Sequence, residues 1–163
     1  QELTIFGTDQ QTPYPNVQYL IYTIEIDTVT ITDCDWAATG ELVIPDTIEG
    51  KPVTSIGKKA FYTNTNLTSI TIPDSVTSIG EYAFHECTGL ASVTIGNGVT
   101  GVGHQAFRFC SSLTAVTFLG DAPKAARTVF SRGATPTIYR KPEAKGWGDT
   151  WGGRPVKLIS EKP

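Results

Sequence analysis

A chain of 163 residues is long enough to bury one core, and its 13 basic against 16 acidic residues leave a net charge of −3, without the basic footprint of a nucleic-acid binder. No apolar run approaches the roughly 18 residues that a membrane-spanning helix needs, which argues against membrane insertion. With 16 glycines and 10 prolines, turns are expected to be frequent and long helices few.

Methionine is absent, at position 1 as elsewhere. That points to a removed segment, either a signal peptide, with Gln1 left after cleavage and export implied, or an expression tag. Residues 1–16 read as a tail and linker. Leu3, Thr4, Ile5 and Phe6 form a short strand-like piece, tethered by a polar stretch that contains Pro13 and Pro15. Such a strand can fold back on the edge of its own sheet. It can instead add to the edge of another copy, a head-to-tail contact that closes rings or grows filaments.

Residues 17–46 are expected to form a β-rich N-terminal cap, since 22–26 and 28–31 alternate as two strands. A terminal unit of a stacked array needs an outer face that tolerates water. Residues 42–46 (LVIPD) echo 70–74 (ITIPD) at an offset of 28, because 47–52 lengthen the intervening turn by five residues.

Residues 47–118 repeat with a period of 23: 53–71, 76–94 and 99–117 read VTSIGKKAFYTNTNLTSIT, VTSIGEYAFHECTGLASVT and VTGVGHQAFRFCSSLTAVT. Phe61, Phe84 and Phe107 recur, as do Leu67, Leu90 and Leu113, and Gly57, Gly80 and Gly103. A fixed period of this length marks a solenoid in which each coil buries its apolar face only against its neighbours. Within one coil, Leu67, Ile70 and Ile72 should point inward from a short strand, with Thr68, Ser69 and Thr71 outward. A second extended stretch at 76–79 ends at Gly80. Residues 81–87 then form a turn or a single helical turn that places Phe84 in an aromatic spine with Phe61 and Phe107. Val129-Phe130 lies 23 residues beyond Ala106-Phe107, so residues 119–163 are expected to hold a modified last repeat and a C-terminal cap containing Trp147 and Trp151. About four coils are expected.

The stretch IPDSVTSIGEYAFHECTGLASVTIGNGVTGVGHQAF resembles the BspA-like, or treponemal-type, bacterial leucine-rich repeats. The likeness runs over about residues 22–159, from VTITDCDWAATGELVIPDTIEGKPVTSIG to the closing FLGDAP, VF and TIYRKPEAKGWGDTWGGRPVKL. It implies a leucine-rich-repeat solenoid, secretion or surface display, and a role in adhesion and protein binding. It also implies that the paired tryptophans seal the end of the array, the competing reading being that they stack on a sugar.

Candidate sites follow from the stacking register. Cys87 and Cys110 occupy the repeat position that Asn64 holds one coil earlier, and coils about 4.8 Å apart bring them within the Cα range of a disulfide. Stacked side chains point the same way, which favours buried thiols; Cys34 has no evident partner. His85 and His104 fall in no ligand spacing and are expected at the solvated outer turn. Lys58 should sit beside Glu81, and Tyr62, His85 and Arg108 should share one column, with Tyr82 and Phe109 exposed nearby. Tyr and Arg are enriched at binding hot spots, so Tyr62, Tyr82, His85, Arg108 and Phe109 form the candidate contact patch; an ordinary mixed surface is the alternative. The hydroxyl ladders of the strand face, with Ser69, Thr71, Ser92, Thr94 and Thr117, suit sheet packing and could also present a flat array to a glycan or to ice. Asn66-Leu67-Thr68 is formally a glycosylation sequon on a core leucine. No catalytic constellation, cofactor motif or metal spacing is present. The expected function is a secreted or cell-surface, non-enzymatic module that binds a protein or glycan ligand. A self-assembling filament subunit joined through its ends and the N-terminal strand is the alternative.

Overall fold

The computed structural model of the chain describes residues 14–163 together with the backbone of 2–4; Ile5 and Phe6 of the expected N-terminal strand lie outside the described residues. The strands are β1 (Glu2–Thr4), β2 (Leu20–Glu25), β3 (Thr28–Cys34), β4 (Gly40–Val43), β5 (Thr47–Ile48), β6 (Lys51–Ile56), β7 (Leu67–Ile72) and β8 (Ser78–Ile79). They continue with β9 (Ser92–Ile95), β10 (Gly101–Val102), β11 (Ala115–Phe118), β12 (Lys124–Ala125), β13 (Thr137–Arg140), β14 (Thr150–Trp151) and β15 (Arg154–Leu158). Successive coils lay one strand on each of two sheets. The first sheet runs β1-β2-β3-β6-β8-β10-β12, and the second runs β14-β15-β13-β11-β9-β7-β4. The molecule is a β-solenoid of about five coils, one more than the repeat alone suggests, because β4 and β13 each complete a coil whose sequence has drifted.

The 23-residue period is the strand register: Ser69 pairs with Ser92 and then Ala115, and Ile70 with Val93 and then Val116. Leu67, Ile70 and Ile72 are buried and Thr68 is exposed, so the alternation of each strand puts its β-branched residues into the core. Phe61, Phe84, Phe107 and Phe130 run up the centre with ring centroids 5.1, 5.0 and 5.6 Å apart. Each fully buried ring contributes on the order of 1.5–3 kcal/mol. The repeated glycine is explained by close approach. A Cβ on Gly80 would lie 2.7 Å from the backbone nitrogen of Lys58 in the preceding coil.

The threonines at repeat positions have a structural use. The hydroxyls of Thr77 and Thr100 donate to the carbonyls of Thr54 and Thr77, one coil back, at 3.1 and 3.2 Å. Residues 47–52, which lengthen this turn by five residues, form a small hairpin in which β5 pairs with β6 around Glu49 and Gly50, both at positive φ. Each end of the stack is partly covered. At the start, β1 pairs antiparallel with β2, and the Asn16 carboxamide donates to the carbonyls of Thr39 and Glu41 along the outer edge of β4. At the finish, Trp151 packs 4.8 Å from Phe118 and donates its indole N–H to the carbonyl of Pro123, and Trp147 donates to that of Gly120. The tryptophans thus seal the last coil.

Candidate protein-interaction surface

The outer turns, rather than either sheet, bring the unusual side chains together. Residues 81–86 form a turn, with no helical turn in it, and Tyr82 and Glu86 have positive φ values of 55° and 59°. The equivalent residues Lys59 and Thr63, and Gln105 and Phe109, do the same. Left-handed backbone costs a non-glycine residue about 1–2 kcal/mol. The return is a complete peptide ladder. The N–H groups of Lys59, Phe61 and Thr63 donate to Glu81, Ala83 and His85 of the next coil, while those of Ala60, Tyr62 and Asn64 turn back to their own. The ladder fixes the coil spacing, and with it the distance between side chains of one column.

Tyr62 therefore stacks on His85, centroids 5.0 Å apart and planes within 8°. Tyr82 meets His85 and His104 edge-on at 5.6 and 5.7 Å, and Phe109 meets His85 at 5.5 Å. Cations lie over the ring faces: Lys59 Nζ is 5.6 Å from the Tyr62 centroid, and the Arg108 guanidinium is 4.6 Å from that of Phe109. Arg108 is also tied to Gln105 Oε1 at 2.7 Å. Lys58 and Glu81 form the expected ion pair, 3.6 Å apart at an exposed position.

Exposure differs from the sequence expectation at several of these residues. Tyr62 is exposed, at 38%, but Tyr82 and Phe109 are half-buried and His85 is buried, at 7%. The repeat register identifies only neighbours within one column. Tyr82 and Phe109 belong to the flanking columns and close over His85 from both sides. Burial lowers the pKa of His85, the Glu86 carboxylate opposes that shift, and Arg108 and Lys59 add to it. His104 is also drawn in, hydrogen-bonded through Nδ1 to the hydroxyl of Thr128.

On the strand face, Ser69, Thr71, Ser92 and Thr94 lie half-buried in two ladders. Thr117, expected to be outward and accessible, is buried at 6%; Lys162 of the C-terminal segment reaches its hydroxyl at 3.5 Å. Leu3 and Thr4 lie in β1, on the edge of the chain's own sheet. Cys34, Cys87 and Cys110 are buried free thiols. Cys87 and Cys110 donate to the carbonyls of Phe61 and Phe84 at 3.0 Å, the place taken in the first coil by Asn64, which donates to the carbonyls of Cys34 and Asp35. Burial pushes the thiols of Cys34 and Cys110 up to about 12, the opposite of an activated nucleophile. Among the described residues, no group of three His, Cys, Asp or Glu side chains could hold a metal ion.

Two grooves flank the ring cluster along the turn face, and the repeat pattern pointed to neither. Towards the N-terminal cap, a groove of about 530 Å³ is lined by Asp33, Asp35, Trp36, Lys58, Lys59 and Tyr62. Trp36 is 68% exposed there. Towards the other end, a groove of about 360 Å³ is lined by Arg127, Ser131, Arg132 and Arg154. Trp36 and Arg154 lie outside the 23-residue period, so nothing in the repeat reports their position. Arg127 and Arg132 are equivalent to His104 and Phe109, and that register was the one available signal.

Parallel coils with one strand on each of two sheets, buried leucines at a fixed station and a central phenylalanine column define a leucine-rich-repeat solenoid. The chain belongs to the BspA type leucine rich repeat family, whose family model matches six copies within residues 41–138. A leucine-rich repeat protein from Bacteroides capillosus ATCC 29799 is 31% identical and superimposes with a TM-score of 0.64, covering 76% of this chain and 94% of that one. A leucine rich cell surface protein from Faecalibacterium prausnitzii A2-165 is 27% identical with a TM-score of 0.54; 77% of this chain matches 44% of that protein, so this chain spans less than half of it. The leucine rich repeat protein of T. pallidum, at 24% identity and a TM-score of 0.51 over 75% of this chain and 69% of that one, shares the fold. No curated protein matches the chain.

Proposed function

We propose that the chain is a secreted or cell-surface module that binds a protein partner through its turn face, in adhesion and without catalysis. The observation that carries this reading is the packed cluster of Tyr62, Tyr82, His85, His104 and Phe109, with Lys59 and Arg108 laid over its rings. Rings held rigid by each other, with Tyr62 exposed at the surface, lose little conformational freedom on binding, and aromatic and arginine side chains dominate interface energetics. The F. prausnitzii relative, a cell surface protein, supports the location. The protonated, buried thiols and the neutral, buried His85 give no support to a nucleophile or a proton-transfer dyad.

The strand face is the weaker candidate, because its hydroxyls are half-buried and the C-terminal segment covers Thr117. Assembly through the N-terminal strand receives no support from β1, which pairs within its own chain. The test is a panel of purified extracellular proteins passed over the immobilised chain. Binders found for the wild type should be lost with Tyr62→Ala/Arg108→Ala and kept with Thr71→Lys/Thr94→Lys. The reverse pattern would move the site to the strand face. Light scattering should give one mass over a wide concentration range; growth of that mass with concentration would reinstate assembly.

A further inference from the structure

The charge of the turn face changes along the stack. Its N-terminal end mixes signs, with Asp33 and Asp35 facing Lys58 and Lys59 across one groove and Glu81 and Glu86 in the next coil. The groove at its C-terminal end is lined by three arginines, Arg127, Arg132 and Arg154, and by no acidic residue. Among the described residues none of the three forms an ion pair. In a chain of net charge −3, that concentration of positive charge is local and directional.

The groove is also organised. Arg154 is held by hydrogen bonds from Nε to the carbonyl of Pro136 at 2.9 Å and from Nη2 to that of Thr135 at 3.2 Å, which fixes the guanidinium plane. Ser131 Oγ is buried in this lining and has no hydrogen-bond partner among the described residues. Planar guanidinium groups recognise carboxylates through paired N–H donors, and an idle buried hydroxyl can supply one more.

We infer that this groove receives the carboxylates of an acidic peptide segment of the protein partner. The inference rests on the turn face being the binding face, as proposed above. A peptide is favoured over an acidic glycan by the rings beside the groove. Sugars stack on open aromatic faces, but Arg108 lies over the ring of Phe109, one coil before Arg132, and Phe130 in the groove lining is buried. Arg108 is placed to meet a further acidic side chain of the same segment.

The test is fluorescence anisotropy of a labelled hexaglutamate peptide with the full chain, beside hexagalacturonate, which carries the same number of carboxylates on a sugar backbone. Saturable binding of hexaglutamate that weakens as salt is raised is expected. Arg127→Glu/Arg132→Glu, at two exposed positions, should weaken it about tenfold or more, as expected for reversal of paired charges. Lys145→Glu/Lys157→Glu, with the same change in net charge on other faces, should change it less than about twofold by the same reasoning. Absence of saturable binding, or equal losses in the two double variants, would overturn the inference while leaving the ring cluster a candidate site in the protein panel. Tighter binding of hexagalacturonate would overturn the choice of a peptide.

Discussion

Two neighbouring columns of the same turn have opposite fates. Phe61, Phe84, Phe107 and Phe130 point inward and are buried without a break. Tyr62, His85, Arg108 and Ser131, each the next residue in the chain, form the adjoining column at the edge of solvent. The backbone ladder and its left-handed residues are shared, so coil geometry does not distinguish the columns. Direction does. Inside, the volume available at the centre of each coil is the same and one residue type fills it. Outside, any side chain that stacks is accepted, and four coils present four different chemistries.

The comparison can be broken most severely from the inside. Phe84→Ala should cost about 3–5 kcal/mol, because the cavity lies between two stacked rings and neither coil can collapse into it. Thermal unfolding would show the midpoint falling by about 2–4 °C per kcal/mol. A cost below about 1 kcal/mol would mean that the spine contributes less than its burial implies.

The polar inner column should be next. Asn64→Ala removes the donor that satisfies the carbonyls of Cys34 and Asp35, where the cap joins the first full coil. A loss of about 1–3 kcal/mol is expected by urea unfolding, as for buried groups left unpaired. No loss would show that water replaces the carboxamide.

His85 sharpens the comparison, because it belongs to the outer column and is nevertheless buried. Its pKa is lower in the fold than the ordinary value of 6.5, so the unfolded chain takes up the proton first as the pH falls. Its contribution is intact above about pH 6.5 and is lost as the pH drops through the folded value. The urea midpoint should fall between pH 7 and pH 5, and by less in His85→Phe, which keeps a ring between Tyr62, Tyr82 and Phe109. An unchanged pH slope in the variant would place the titrating group elsewhere. The smallest effect is expected for Tyr62→Ala, at an exposed site: no more than about 1 kcal/mol in the same assay.

The period made the contacts between equivalent residues of successive coils legible in the sequence. Equivalence at 23 residues gave the phenylalanine spine, the Asn64, Cys87 and Cys110 ladder, the Lys58–Glu81 pair and the Tyr62–His85 stack. These are all contacts along the stack. Contacts across it were not legible. Tyr82 and Phe109 shield His85 from flanking columns, Lys162 covers Thr117 from a non-repeating tail, and Trp36 comes from a cap without a period. The arginine groove combines both failures, with Arg154 brought back by the C-terminal segment against Arg127 and Arg132.

The most direct measurement of the division between the two columns is Arg108→Glu, with partner capture and thermal unfolding recorded on the same preparation. The expected result is loss of capture with a melting temperature within about 2–4 °C of the wild type, as for a surface change of roughly 1 kcal/mol. Capture that survives the charge reversal, or that disappears only together with the fold, would contradict a binding role for the outer column.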